Sequence, residues 1–326
     1  MRELRMKSIF HVVITKIMTC LVALENGNLE DTVTVSKSAA DVWGSDIKLK
    51  VGQKVKLEEM LYGLMLKSGN DAAVAIAEHV GGSEENFVKM MNEKAAELGA
   101  ANTRFANPHG LDVDGHYSTA YDMAVITAYA LSNQKFAAIV ATKEITFDQF
   151  AFYNTNEMLG VYPNANGVKT GYTGLAGRCL VTSVTENGMT LISVVLNCSS
   201  REKRAAASKK ILDYAKDKYK RRVLLKKDED MGKIEIIKGR ESSVDVRAKS
   251  DIILPLSDEE VSKMKKEIIM EPRRYAPVSR GEAAGVIRFY TDGVCIGQSD
   301  IIFTETVIDL KYGDYLRKLF DKWLLK

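Results

Sequence analysis

The alternation of apolar and polar positions opens the chain with helices. In residues 15–25 the apolar residues Ile17, Leu21, Val22 and Leu24 have the spacing of one helix face, and Gly27 supplies a stop. Residues 57–66 repeat the pattern, with Met60, Leu61, Leu64 and Met65 on the buried side. Ser68-Gly69-Asn70 ends that helix, and Asp71 is placed to cap the next, over residues 72–79. Ser83 caps a helix through Leu98 that Gly99 closes, and Thr119, with Asp122 three residues on, caps one running to about Ser132. Residues 30–56 read as short strands and turns around Trp43, and Asn107-Pro108-His109-Gly110 reads as a turn.

The period then changes. Extended segments are predicted at residues 142–152, 168–172, 178–185 and 190–197, ahead of a Lys-, Arg- and Ala-rich helix over 200–219. Helices around an antiparallel sheet give an α+β first domain, residues 1–221. Beyond it the pattern is of short strands, at 234–237, 243–246, 252–254, 285–290 and 294–303, the last two joined by an Asp292-Gly293 turn. Residues 222–305 therefore read as a small all-β second domain. In residues 306–326, Tyr312, Tyr315, Leu316, Leu319, Phe320 and Trp323 share one side of a helix, with Asp314, Arg317, Lys318, Asp321 and Lys322 opposite. Such a helix packs on its own domain or lies at a membrane surface.

Composition narrows the classes. With 326 residues, 46% hydrophobic and 27% charged, the chain can bury two cores. A net charge of +3, without a basic cluster interleaved with aromatics, argues against nucleic acid as a partner. Cys20, Cys179, Cys198 and Cys295 are scattered, which predicts buried free thiols, and neither a metal nor a cofactor is expected. No apolar run is long enough to span a bilayer. Arg2, Arg5 and Lys7 before Ile9-Phe10-His11-Val12-Val13-Ile14 imitate a signal peptide, but His11 and Lys16 interrupt the apolar stretch and no cleavage site follows. The segment is read as not exporting the chain, which would leave it cytoplasmic.

The candidate chemistry lies in two short stretches. Gly167-Val168-Lys169-Thr170-Gly171-Tyr172-Thr173-Gly174 reads as a strand edge that offers a cation and a hydroxyl to a chain ending in a carboxylate. Ser68-Gly69-Asn70 sits at a helix–helix junction, where a hydroxyl can relay a proton and an amide can hold a carbonyl. Separately, an ordinary strand end and a cap-and-turn would explain them. Together, Ser-x-Asn followed about a hundred residues later by Lys-Thr-Gly is the later part of the penicillin-recognising pattern that begins with Ser-x-x-Lys.

On these motifs, and on Thr15-Lys16-Ile17-Met18-Thr19, Asn107-Pro108-His109-Gly110-Leu111 and His116-Tyr117-Ser118-Thr119-Ala120-Tyr121-Asp122, the chain resembles the serine-type D-alanyl-D-alanine carboxypeptidases, the low-molecular-mass penicillin-binding proteins. The resemblance implies a transpeptidase-like domain, a β-rich second domain and a terminal amphipathic helix. It implies a peptidoglycan stem peptide ending in D-Ala-D-Ala as partner, β-lactams as its mimics, and a place of work outside the cytoplasmic membrane. It further implies that a serine three residues before Lys16 attacks, that Lys16 is the base and that Ser68 relays the proton. Asn70 would hold the substrate, Lys169 and Thr170 its carboxylate, and Gly171-Tyr172 the strand whose Tyr172 N–H, with that of residue 13, forms the oxyanion hole.

One position departs from this pattern. Three before Lys16 stands Val13, with no nucleophile, and Ser8 is about 12 Å farther along a helix from Lys16. The chain is therefore expected to be inactive as written, in a domain lacking its first strands, the likeness starting sharply at Thr15 as after a frame change or misplaced start. A non-catalytic stem-peptide-binding protein is the second reading and a non-functional fragment the third. A class A β-lactamase-like hydrolase is the enzymatic alternative, disfavoured by Ser-Gly-Asn, the second domain and the terminal helix.

Overall fold

Helix α1 (Lys16–Asn26) is the hub of the first unit. Lys16 to Ala23 are buried on every side of it, so this helix fills the core instead of lying on its surface. The computed structural model describes residues 10–11 and 14–324. It divides into two compact units between Lys216 and Asp217.

Around α1 the predicted helices form, with informative differences at their ends. Helix α2 (Leu57–Tyr62) buries Met60 and Leu61, but its continuation over Gly63–Lys67 widens into a π-turn that buries Leu64 and Met65. Ser68 ends that turn in the left-handed region, at φ 64° and ψ 34°. Helix α3 (Asn70–Gly81) starts earlier than the capping argument placed it, with Gly69 at the cap position. Asp71 lies inside its first turn and does different work. Its carboxylate accepts the backbone N–H of Ile47 at 3.0 Å and of Leu49 at 3.1 Å, fastening residues 47–49 to α3. Helices α4 (Glu84–Glu97) and α5 (Ala120–Ser132) start at Ser83 and Thr119 as predicted, each side chain accepting the N–H three residues on.

Residues 30–56 contain the paired strands Thr32–Thr34 and Lys54–Lys56, and also a short helix, Lys37–Asp41, capped by Ser36. Trp43 organises no core there; it is 73% exposed. The stretch 142–152 is only a small hairpin, Glu144–Thr146 with Ala151–Tyr153.

The sheet of this unit is antiparallel, β1 (Ala165–Thr173), β2 (Gly177–Glu186) and β3 (Met189–Cys198), in that spatial order. Among the described residues β1 is thus an edge. Helix α6 (Arg201–Lys218) follows, and Leu212 packs with Leu180, Val184, Met158 and Tyr162.

The second unit is built on a six-stranded sheet. Its strands are β4 (Asp230–Ile237), β5 (Ser243–Ala248), β6 (Lys265–Met270), β7 (Arg273–Tyr275), β8 (Ala283–Thr291) and β9 (Val294–Phe303), ordered β6-β8-β9-β5-β4-β7. Lys220–Leu225 and Ile252–Leu256 form a separate pair. Alternation along β5 buries Val244, Val246 and Ala248, which join Ile287, Phe289, Ile301 and Phe303 in one core. Helix α7 (Tyr312–Leu324) keeps Tyr312, Phe320 and Trp323 mostly exposed.

All four cysteines are free. Cys20 and Cys179 are buried as expected, but Cys198 is half-buried and Cys295 exposed, because strand ends leave both near solvent.

Candidate active site

The start of α1 and the start of α3 meet at Lys16. Its side chain is 2% exposed, and its Nζ donates to Asn70 Oδ1 at 2.7 Å and to the His109 carbonyl at 2.5 Å. Burial, reinforced by the positive charge of Lys169 and only partly opposed by Asp71, holds its ammonium well below the usual lysine range. A neutral amine has two N–H bonds and one lone pair. In its unprotonated form, with both N–H bonds committed to these acceptors, Lys16 would have its lone pair left to take a proton.

Each partner is itself held. Asn70 Nδ2 donates to the Trp43 carbonyl at 2.8 Å, and its backbone N–H to that of Ser45 at 2.7 Å. Gly44 between them has φ +102°, and a Cβ there would stand 2.6 Å from Asn70 Nδ2, so only glycine lets the strip approach so closely. The His109 carbonyl is presented by a turn whose Asn107 side chain accepts the Gly110 N–H at 2.7 Å and donates to Leu111 O at 2.9 Å. Thr19 ties the same turn to α1 through Pro108 O at 2.6 Å. The His109 ring is pushed down to about 3, by burial first and then by Lys16 and His116, so it stays neutral. His116 takes the Ala106 N–H on Nδ1, which leaves its Nε2–H to donate to Thr15 Oγ1 at 2.7 Å.

Ser68 lies at the junction itself, half-buried, with no hydrogen-bond partner for its hydroxyl among the described residues. The left-handed backbone of a non-glycine residue here costs on the order of 1 kcal/mol.

Strand β1 forms the opposite wall. Thr170 Oγ1 is 3.0 Å from Thr155 Oγ1, Gly171 and Tyr172 follow, and Thr173 Oγ1 donates to Asp112 at 2.7 Å. Lys169 is 1% exposed and donates to the Thr170 carbonyl at 2.9 Å. Burial and the Arg204 charge bring its ammonium down to about 7.

Lys16, Ser68, Asn70, Thr170, Gly171 and Tyr172 thus line one cleft of about 510 Å³, whereas Lys169, buried next to Thr170, is not among its lining residues. Val13 lies outside the described residues. Sequence reasoning missed Asp112, Arg178, Arg201 and Arg204 on the same walls. Arg204 is 4% exposed and gripped by both oxygens of Glu157, at 3.0 and 2.8 Å. In the sequence it is one basic residue of a basic helix, and nothing local marks it out.

A buried lysine facing a Ser-x-Asn junction and a Lys-Thr-Gly edge strand is the framework of the penicillin-recognising serine hydrolases. A profile described as D-alanyl-D-alanine carboxypeptidase matches residues 10–200, and one described as penicillin-binding protein 5, C-terminal domain, matches 219–308. The D-alanyl-D-alanine carboxypeptidase DacF of Bacillus subtilis is 38% identical over 95% of this chain and 82% of its own length. DacC of Escherichia coli is 33% identical over 96% and 81%. Among solved structures, penicillin binding protein 5 of Haemophilus influenzae superposes with a TM-score of 0.76 at 30% identity, over 93% of this chain and 92% of that one. The chain belongs to the serine-type D-alanyl-D-alanine carboxypeptidase family. The first match starts at residue 10, ahead of Thr15, so it runs through Val13.

Proposed function

We propose that this chain is the substrate cradle of a D-Ala-D-Ala carboxypeptidase in which the nucleophile position is Val13, so that it holds peptidoglycan stem peptides, and β-lactams as their mimics, without forming an acyl-enzyme. The observation that carries this is the convergence of Lys16, Ser68 and Asn70 on the Thr170–Tyr172 edge, in a chain whose third residue before Lys16 is valine.

In this reading the terminal carboxylate meets Thr170, backed by the charges of Lys169 and Arg204. The scissile carbonyl points at the Tyr172 N–H. Lys16 is poised to take a proton from a hydroxyl at position 13, its amine oriented by Asn70 and His109. Ser68 is placed to hand a proton to the departing D-alanine.

The test is the intact mass of the full chain after incubation with benzylpenicillin. The chain as it stands keeps its mass, whereas Val13→Ser gains one penicilloyl group. A gain on the unaltered chain overturns the reading, as does a Val13→Ser chain that melts cooperatively and stays unlabelled.

The family's work is done outside the cytoplasmic membrane, at its surface. For this chain we place residues 307–326 at the lipid surface, on the support of the exposed Tyr312, Phe320 and Trp323.

A further inference from the structure

The cleft carries more positive charge than the acyl-transfer chemistry uses. Lys67, Arg178 and Arg201 line it, and none of them makes an ion pair among the described residues. Arg204, by contrast, is committed to Glu157. The only acid among the described lining residues, Asp112, already accepts from Thr173 Oγ1 at 2.7 Å and from the Leu175 N–H at 3.3 Å. Glu202 feels both Arg178 and Arg201 but bonds to Ser200.

The unpaired guanidinium groups stand at one end of the cleft, and the strand register says which. Tyr172 pairs with Arg178, and Thr173 with Gly177, across the hairpin that joins β1 to β2. The Arg178 guanidinium carbon sits 4.4 Å from the Tyr172 ring centroid, so stacking holds the cation in place without neutralising it. On the reading of the site given above, a peptide lies antiparallel along the open edge of β1, its carboxylate at Thr170 and its scissile carbonyl at Tyr172. Its earlier residues then run past Thr173 and Gly174 at about 3.4 Å per residue. A side chain two or three residues before the scissile bond passes beside this pair of cations.

We propose that the cleft selects stem peptides that keep a free side-chain carboxylate two or three residues upstream of the scissile bond, received by Arg178 and Arg201, over peptides in which that carboxyl is an amide. A guanidinium offers paired N–H donors to a carboxylate, whereas a carboxamide returns one carbonyl and no charge.

The test rests on the reading of the site and separates the two. Calorimetry on the full chain compares two peptides ending in D-Ala-D-Ala that differ only in having an acid or an amide at that upstream position. The acid binds about fivefold tighter at low ionic strength, the scale of a partly exposed ion pair. The preference shrinks with added salt. In Arg178→Gln/Arg201→Gln the acid-to-amide ratio falls to about one. Equal binding of the two peptides to the unaltered chain overturns the selectivity and leaves the cradle standing. Failure of both to bind overturns the cradle, and the selectivity with it.

Discussion

Two lysines at or beside the cleft are buried, and each is shifted by a different neighbour. Lys16 is kept low chiefly by burial and by Lys169, while Lys169, also buried, answers to Arg204 and sits at about 7. Lys169 has a depressed folded value, so the unfolded chain binds the extra proton between about pH 7 and 10, and its contribution to stability improves as pH rises through that window. Its contribution to binding has the opposite sense, because a carboxylate is held only by the protonated form. The affinity for a D-Ala-D-Ala peptide is therefore expected to fall as pH rises from 6 to 8, and Lys169→Met is expected to flatten that profile. A profile unchanged by the substitution would remove Lys169 from carboxylate binding. Ser68, Asn70 and Thr170 were legible as a group in the sequence from their side-chain types and separation, and the fold brings them to one cleft. Arg204 was not, because its role comes from Glu157 across 47 residues of chain.

Asp71 shows what changes between sequence and structure at the level of elements. The pattern made it a helix cap. The fold uses it to hold residues 47–49, beside the strip whose Trp43 carbonyl orients Asn70. Asp71→Ala takes the side-chain acceptor from three buried N–H groups, those of Ile47, Leu49 and Ala72, and is expected to cost about 2–3 kcal/mol in chemical denaturation. It also loosens the Trp43 strip, so a shifted Trp43 emission should accompany the loss. Unchanged stability would mean that the strip is held by something else. The helices over 83–98 and 119–132 were legible to within a residue or two because their caps are local. The π-turn at Gly63–Lys67 was not, since one widened turn buries the same residues that an α-helix would.

On the scale of the whole molecule, α7 has two fates and the structure bears on the choice. Tyr312 and Trp323 are 79% and 77% exposed, so the aromatic side is not used up in packing its own unit. The full chain is expected to co-sediment with anionic phospholipid vesicles, and Phe320→Ser/Trp323→Ser to weaken that binding by more than tenfold, each aromatic being worth about 1.5–3 kcal/mol on burial. Vesicle binding that survives the double substitution would assign membrane contact to another surface. The cradle and this helix belong to separate compact units, so the substitution is not expected to alter the cleft.

The sequence by itself determined the α+β and β-rich division, most helix starts, the two cleft motifs and the absence of a hydroxyl at position 13. These depend on neighbours within a few residues, or on side-chain chemistry that needs no geometry to name. Only the tertiary structure decided that buried Lys16 donates to both Asn70 and the His109 carbonyl, and that Lys169 is buried beside Thr170. Only it revealed that Arg178 and Arg201 line the wall without an ion pair among the described residues. Burial and charge pairing act between residues far apart in the chain, and a linear pattern contains neither distance nor solvent.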